Sequence, residues 1–233
     1  DEEDYLSSLD SFKNYVRNNN LLQKDTKVVY ASGLEGKKEI HQYIEDNFHV
    51  LGVPLTEFDN ISSLDKIDHS LLNNNIKIPE ITYEFNYKYL SKSYYSSGGM
   101  RVGNDLTLSS TYFQKFIPGK TFSISFIASP STPTILGFNQ LFIVKNNIKY
   151  PFLHAGCMTV DLDQPYKGYI EDWVYKISKH FNLTGFISID FKIYNQSIEI
   201  LDINPRLSGS YRLYTRKYNN LICNHLMLSN TLD

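Results

Sequence analysis

The run Gly185-Phe-Ile-Ser-Ile-Asp-Phe-Lys-Ile-Tyr-Asn-Gln-Ser-Ile-Glu-Ile-Leu-Asp-Ile-Asn-Pro-Arg206 is the pivot of the chain, because it places acidic and amide oxygens in two adjoining β-type segments. Ile187, Ile189, Phe191 and Ile193 alternate with Ser188, Asp190 and Lys192, the period-2 pattern of a strand with one apolar face. The segment from Ile198 to Asn204 is β-branched as well, and Asp202 and Asn204, two residues apart, share a face. A three-residue turn at Asn195-Gln196-Ser197 is expected, with asparagine left-handed, and it sets Asp190 opposite Asp202 and Ser188 opposite Asn204. A two-residue turn would send the two aspartates to opposite faces. Facing carboxylates roughly 5 Å apart at Cβ repel each other, and a hard divalent cation with oxygen ligands relieves the repulsion. Spacing alone leaves the alternative of an ordinary hairpin with solvated acids open.

Composition narrows the function classes. A chain of 233 residues can bury a sizeable core as one domain or two lobes, and its net charge of −2 gives no electrostatic case for nucleic acid or an anionic membrane. Two cysteines, Cys157 and Cys223, cannot form a zinc cluster and fit a reducing cytoplasm better than a disulfide scaffold. The six histidines lack metal-ligand spacing. No apolar run approaches the ~20 residues of a membrane span, so a soluble, cytoplasmic chain is expected. Because the sequence starts at Asp1 instead of Met, a trimmed amino terminus is expected too. Self-association into a homo-oligomer stays open.

Upstream of the hairpin, residues 1–60 read as a partial α/β lobe: a helix around Phe12, Tyr15 and Val16, a strand at Lys27–Tyr30, a helix from Glu35 to Glu45 and a strand at His49–Leu51. Ala31 to Gly36 lacks the G-x-G-x-x-G spacing and reads as turn chemistry. Ser62 to Leu72 reads as a capped amphipathic helix with apolar residues at 64, 67, 71 and 72. Lys66 in its first turn opposes the helix dipole, which gives weight to a nearby anion. Strands then dominate. Ser93 to Met100 is either a flexible hairpin tip or a loop wrapping phosphate, with Lys92 as counter-charge. Thr111–Ile117 and Phe122–Ile127 flank Pro118-Gly-Lys120 and read as a hairpin, with Ser123 and Ser125 on one face. Ile135–Val144 and Pro151–Met158 extend the sheet. A helix follows with Ile170, Trp173, Val174, Ile177 and Phe181 as its core stripe, closed by Asn182 and Gly185. After the tight loop Leu207 to Ser210 comes a mostly polar helix to about Met227.

Four segments in this order resemble the ATP-grasp superfamily, and within it the carboligase-related group that includes tyramine–glutamate ligase: Leu90 to Gly99, Tyr112 to Gly119 with Ser123 to Phe126, Leu136 to Leu141, and Gly185 to Arg206. The resemblance covers roughly residues 60 to 212, with a fainter likeness over about 27 to 58. It implies an α+β fold of two lobes gripping ATP, a small lobe over 61–117 and a large lobe over 118–233, after a partial α/β layer over 1–60. It implies that Lys66 and Lys92 face the phosphates under a loop of Ser96, Ser97, Gly98 and Gly99. Gln114, Lys115, Phe116 and Ile117 would form the inter-lobe segment, with adenine on the main chain of Lys115 and Ile117. Asp190, Asp202 and Asn204 would hold magnesium, or manganese in its place, and Arg206 would face the transferred phosphate. The reaction implied is amide formation from small-molecule carboxylate and amine substrates through an acyl-phosphate; Arg101, His154, Ser208 and Tyr211 are candidate substrate contacts, with a structural or surface role as the alternative for each. Two departures support an alternative, an ATP-binding regulatory module with weak or no turnover. Asp202 stands where glutamate is usual, and Ser188 where many of these ligases carry arginine.

Overall fold

The computed structural model describes residues 6–23, 26–30, 37–62, 64–85, 87–93, 98–99, 102–103, 111–144 and 148–215. The expectations for Ser96, Ser97, Arg101, Cys223 and the helix beyond 215 lie outside these residues.

The chain begins with α1 (Leu9–Asn18), entered through Ser8, whose side chain accepts from the Ser11 amide. A parallel strand pair, β1 (Lys27–Val29) and β2 (His49–Leu51), encloses α2 (Lys38–Asn47). Phe12, Val16, Tyr30, Ile40 and Ile44 close a small core of their own. Next comes α3 (Leu55–Ile61), a helix that the sequence pattern did not suggest; it starts directly after Pro54, whose fixed φ suits a helix entrance. The helix expected over 62–72 is absent, and two short 3-10 turns, Leu64–Lys66 and His69–Leu71, stand in its place. The Asp68 carboxylate accepts from the Ser70 amide, a local bond that caps the second turn and competes with a continuous helix. Leu64 and Ile67 are nevertheless buried, so the apolar spacing was core-forming without being helical.

Beyond the turns lie β3 (Ile76–Lys77), β4 (Ile81–Thr82), β5 (Tyr89–Ser93), β6 (Val102–Gly103), β7 (Thr111–Lys115), β8 (Thr121–Ala128), β9 (Thr134–Ile143) and β10 (His154–Val160). Then follow α4 (Tyr166–His180), β11 (Gly185–Tyr194), β12 (Ser197–Asn204) and a short α5 (Tyr211–Tyr214). They make two sheets. The small one has the order β4-β7-β5-β6, and the large one β10-β9-β8-β11-β12-β3. Because β7 and β8 belong to different sheets, the hairpin expected around Pro118-Gly-Lys120 does not exist, and residues 116–120 connect the sheets instead.

One face of the large sheet presents Ile124, Phe126, Ile187, Ile189 and Phe191 to Ile170, Trp173, Val174 and Ile177 of α4, and these residues form the main core. The other face carries a polar strip beside a small apolar cluster of Ile127, Leu136 and Phe186. Its register is set by a device the sequence reading missed: the turn has two residues, Asn195 and Gln196, both at positive φ. Tyr194 pairs with Ser197 and Phe191 with Ile200, yet Asp190 pairs with Asp202 and Ser188 with Asn204. The extra residue is Leu201, a β-bulge between the two registers. The bulge cancels the face change that a two-residue turn imposes, so the expected pairing is present for a different reason from the expected one.

Candidate active site

Cross-strand partners share a face, so the register alone assembles a polar strip. Ser188, Asp190 and Lys192 on β11 lie opposite Ser125, Ser123 and Thr121 on β8, and Ser123 lies opposite Asn139 on β9. Asp202 and Asn204 on β12 complete the strip. The small sheet stands across from it, and between the two runs a cleft of about 400 Å³, within the usual size of a ligand site.

At the acidic end Asp190 and Asp202 face each other. Burial first, and then the charge of Asp202, push the Asp190 carboxyl up to about 7, against the pull of Lys92, Arg206 and a hydrogen bond from Asn204. Lys92 reaches across from β5 and donates to the Leu201 carbonyl at 2.6 Å. The bulge thus supplies an acceptor to the small sheet. Burial works to lower the Lys92 pKa, but Tyr112, then Asp202 and Asp190, outweigh it and hold the ammonium above its ordinary value. Arg206 donates to Asn204 Oδ1 at 3.0 Å. Its loop is fixed from below by a chain of hydroxyls: Ser208 to Ser210 at 2.8 Å, Ser210 to Ser125 at 3.1 Å, and Asn139 donating to Ser123 and Ser125. The Leu207 amide donates to the Tyr30 carbonyl at 2.9 Å, tying the same loop to the end of β1.

At the other end the cleft is bounded by Gln114, Lys115, Phe116 and Ile117, with Leu141 and Ile143 beside them. The Gln114 side-chain nitrogen is buried and has no hydrogen-bond partner among the described residues, a donor in need of a ligand. Lys192 Nζ donates to the Ile117 carbonyl at 2.6 Å, and burial lowers its pKa. Gly98 and Gly99 form part of the rim. The Gly98 carbonyl accepts from the His154 amide at 2.8 Å, and Gly99, at φ 74°, packs so closely that a Cβ would overlap the Phe152 carbonyl oxygen.

Lys92, Gly98, Gly99, Gln114, Lys115, Phe116, Ile117, Asp190, Asp202, Asn204 and Arg206 therefore meet at one cleft, together with His154 and Ser208. Lys66 does not line it and is exposed. Tyr211 is also off the cleft, packed against the cluster of Ile127, Leu136, Phe186 and Tyr214. Sequence reasoning missed Tyr112, Lys192 and Cys157. Lys192 carried a signal, its i, i+2 spacing from Asp190. Among the described residues no three His, Cys, Asp or Glu side chains converge, so a cation here has two carboxylates and amide oxygen as its protein donors. Two facing carboxylates, one of them pushed up to about 7 by burial and by the charge of the other, fit a hard divalent ion. No helix of the described residues is long and apolar enough to cross a membrane.

The sequence profile of the ATP-grasp domain matches residues 65–210, more than half of the chain. An uncharacterised protein of Methanocaldococcus jannaschii is 31% identical over 185 residues, 70% of this chain and 45% of that protein, so the chain spans under half the length of this relative. Among solved structures, biotin carboxylase of Campylobacter jejuni, in a complex with β,γ-ATP, aligns with a TM-score of 0.73 at 12% identity over 100% of this chain and 60% of its own. D-alanine–D-alanine ligase of Bacillus anthracis, complexed with ATP, aligns with a TM-score of 0.57 at 12% identity over 84% of this chain and 72% of its own. At these identities the likeness establishes the fold.

Proposed function

The chain belongs to the ATP-grasp family, and on that footing we propose that it is an ATP-dependent carboxylate–amine ligase acting through an acyl-phosphate. The observation that carries the proposal is the pairing of Asp190 with Asp202 beside Lys92 and Arg206, at the opposite end of the cleft from Gln114 to Ile117. A triphosphate laid along this axis has its base among Phe116, Leu141 and Ile143 and its charge among cations. The finer likeness to the carboligase-related group rests on the four sequence segments that carry it.

In this reading the γ-phosphoryl group passes from ATP to a carboxylate oxygen of the first substrate, the bond to ADP breaking as the acyl-oxygen bond to phosphorus forms. The amine then attacks the acyl carbon, phosphate leaves, and the nitrogen sheds one proton. Lys92, already charged and buried, meets phosphate oxygens without reorganisation. Arg206 turns from Asn204 to the transferred group, which releases Asn204 Oδ1 toward Asp190 and Asp202. Magnesium or manganese held by these three residues would supply a Lewis acid for the phosphate oxygens. The main chain of Gly98 and Gly99, seated on Phe152 and His154, shields the phosphates from water. With Ser188 offering only a hydroxyl, Arg206 is the described guanidinium that balances charge on the acceptor side.

An ADP-release screen over pairs of small carboxylates and amines tests the proposal. Release with at least one pair, lost by a factor of about 100 or more in Asp202→Ala, is expected. Tight MgATP binding without ADP release from any pair favours the regulatory module instead.

A further inference from the structure

The bond from Lys192 to Ile117 has a consequence for which nucleotide the cleft accepts. Lys192 lies on the cleft face of β11, two residues beyond Asp190, and its ammonium reaches the connector between the sheets. There it donates to the Ile117 carbonyl at 2.6 Å and stands 5.1 Å from the centre of the Phe116 ring, so one side chain holds two consecutive residues of the connector. The next residue is Pro118, which has no N–H, so the carbonyl is the one polar group of the Ile117–Pro118 peptide. Lys192 is 8% exposed and Ile117 7%, and the bond is therefore made out of water, where an unmatched carbonyl would seek another donor.

We infer that Lys192 is a positioning residue that makes the cleft select adenine over guanine nucleotides, by closing the Ile117 carbonyl to the base. The inference rests on the nucleotide reading above, in which the base meets the main chain of Lys115 and Ile117. Adenine presents to such an edge an amino donor and a ring-nitrogen acceptor. Guanine presents a carbonyl acceptor and two donors, the ring N–H and the 2-amino group. A free carbonyl at Ile117 is an acceptor suited to those guanine donors. With Lys192 in place that acceptor is taken, and the ammonium sets N–H groups against guanine's own donors, leaving them unpaired. The same bond fixes the direction of the connector, and with it the Ile117 N–H that an adenine ring nitrogen would use. Because Lys192 shares a strand with Asp190, the base end and the acidic end of the cleft are held in one register.

Isothermal titration of the chain with MgATP, MgGTP and magnesium tripolyphosphate tests this on the wild type, Lys192→Met and Lys192→Arg. The wild type is expected to prefer ATP. In Lys192→Met the ATP-to-GTP preference falls about tenfold or more, with tripolyphosphate affinity unchanged, and Lys192→Arg recovers most of the preference. The inference is overturned by an unchanged ratio in Lys192→Met, by equal ATP and GTP affinities in the wild type, or by a parallel loss of all three ligands. A wild type that binds none of the three overturns the nucleotide reading itself, and this inference with it.

Discussion

Asp190 carries a free-energy signature that solution measurements can read. Its carboxyl sits near 7 in the folded chain, above the ordinary carboxylate value of 3.8. Between those two values the folded chain holds a proton that the unfolded chain has released, so folding here takes up a proton. The contribution is fully present below the unfolded pKa and is lost as pH climbs through about 7. In the absence of metal, the wild type should lose stability from about pH 4 to pH 8 by an amount on the order of 4 kcal/mol at most, at ~1.4 kcal/mol for each pH unit that separates the folded from the unfolded value. Asp190→Asn removes the carboxylate and flattens that slope, so the variant overtakes the wild type at pH 8 in urea denaturation. Magnesium at pH 8 should then restore stability to the wild type and leave Asp190→Asn unchanged. Parallel pH profiles for the two proteins would refute the assignment. Lys92 is the other half of this balance, because its charge, followed by that of Arg206 and a hydrogen bond from Asn204, keeps the Asp190 carboxyl from rising further.

The β11–β12 hairpin shows how far pattern reading reaches. The alternation of Ile187, Ile189 and Phe191 with Ser188 and Asp190 was legible because side-chain direction in a strand follows period 2, whatever the tertiary context. The turn was not legible. Two errors of one residue, a turn of two residues where three were expected and an unanticipated bulge at Leu201, cancelled in the pairing of Asp190 with Asp202. A bulge leaves no local sequence mark, since its support comes from the distant Lys92, which takes the Leu201 carbonyl. The turn also contains a correctable strain: Gln196 sits at φ 62° with a side chain that disfavours that region. Gln196→Gly, giving Asn-Gly at the two turn positions, should stabilise the chain by ~0.5–1 kcal/mol and leave nucleotide affinity unchanged. A fall in thermal midpoint would show that the Gln196 side chain supports the hairpin by contacts outweighing the backbone strain.

The architecture of two sheets facing across a cleft was readable only in part from local pattern, because the decisive facts are long-range. Nothing in Thr111 to Ile127 announces that β7 and β8 part into different sheets, and the local turn chemistry of Pro118-Gly-Lys120 favoured a hairpin. It was the order of four segments that pointed to the ATP-grasp fold. Lys66 illustrates the converse: a place against a helix dipole requires a helix, and 3-10 turns leave the side chain exposed and off the cleft. The sheets are joined by the connector at 116–120, by Lys92 to Leu201, by Lys192 to Ile117 and by Gly98 to His154. Each bond other than the connector crosses or borders the cleft, so a ligand filling it adds contacts to both sides at once. A ligand that binds only the folded chain stabilises it by ~2.7 kcal/mol at a hundredfold excess over Kd, which for a chain of this size raises the thermal midpoint by roughly 5–10 °C. MgATP should produce that shift, ATP with a chelator a smaller one, and Asp202→Ala should lose the difference between them if, as proposed, the paired acids hold the metal. No shift at saturating MgATP would remove ATP from the account of this cleft.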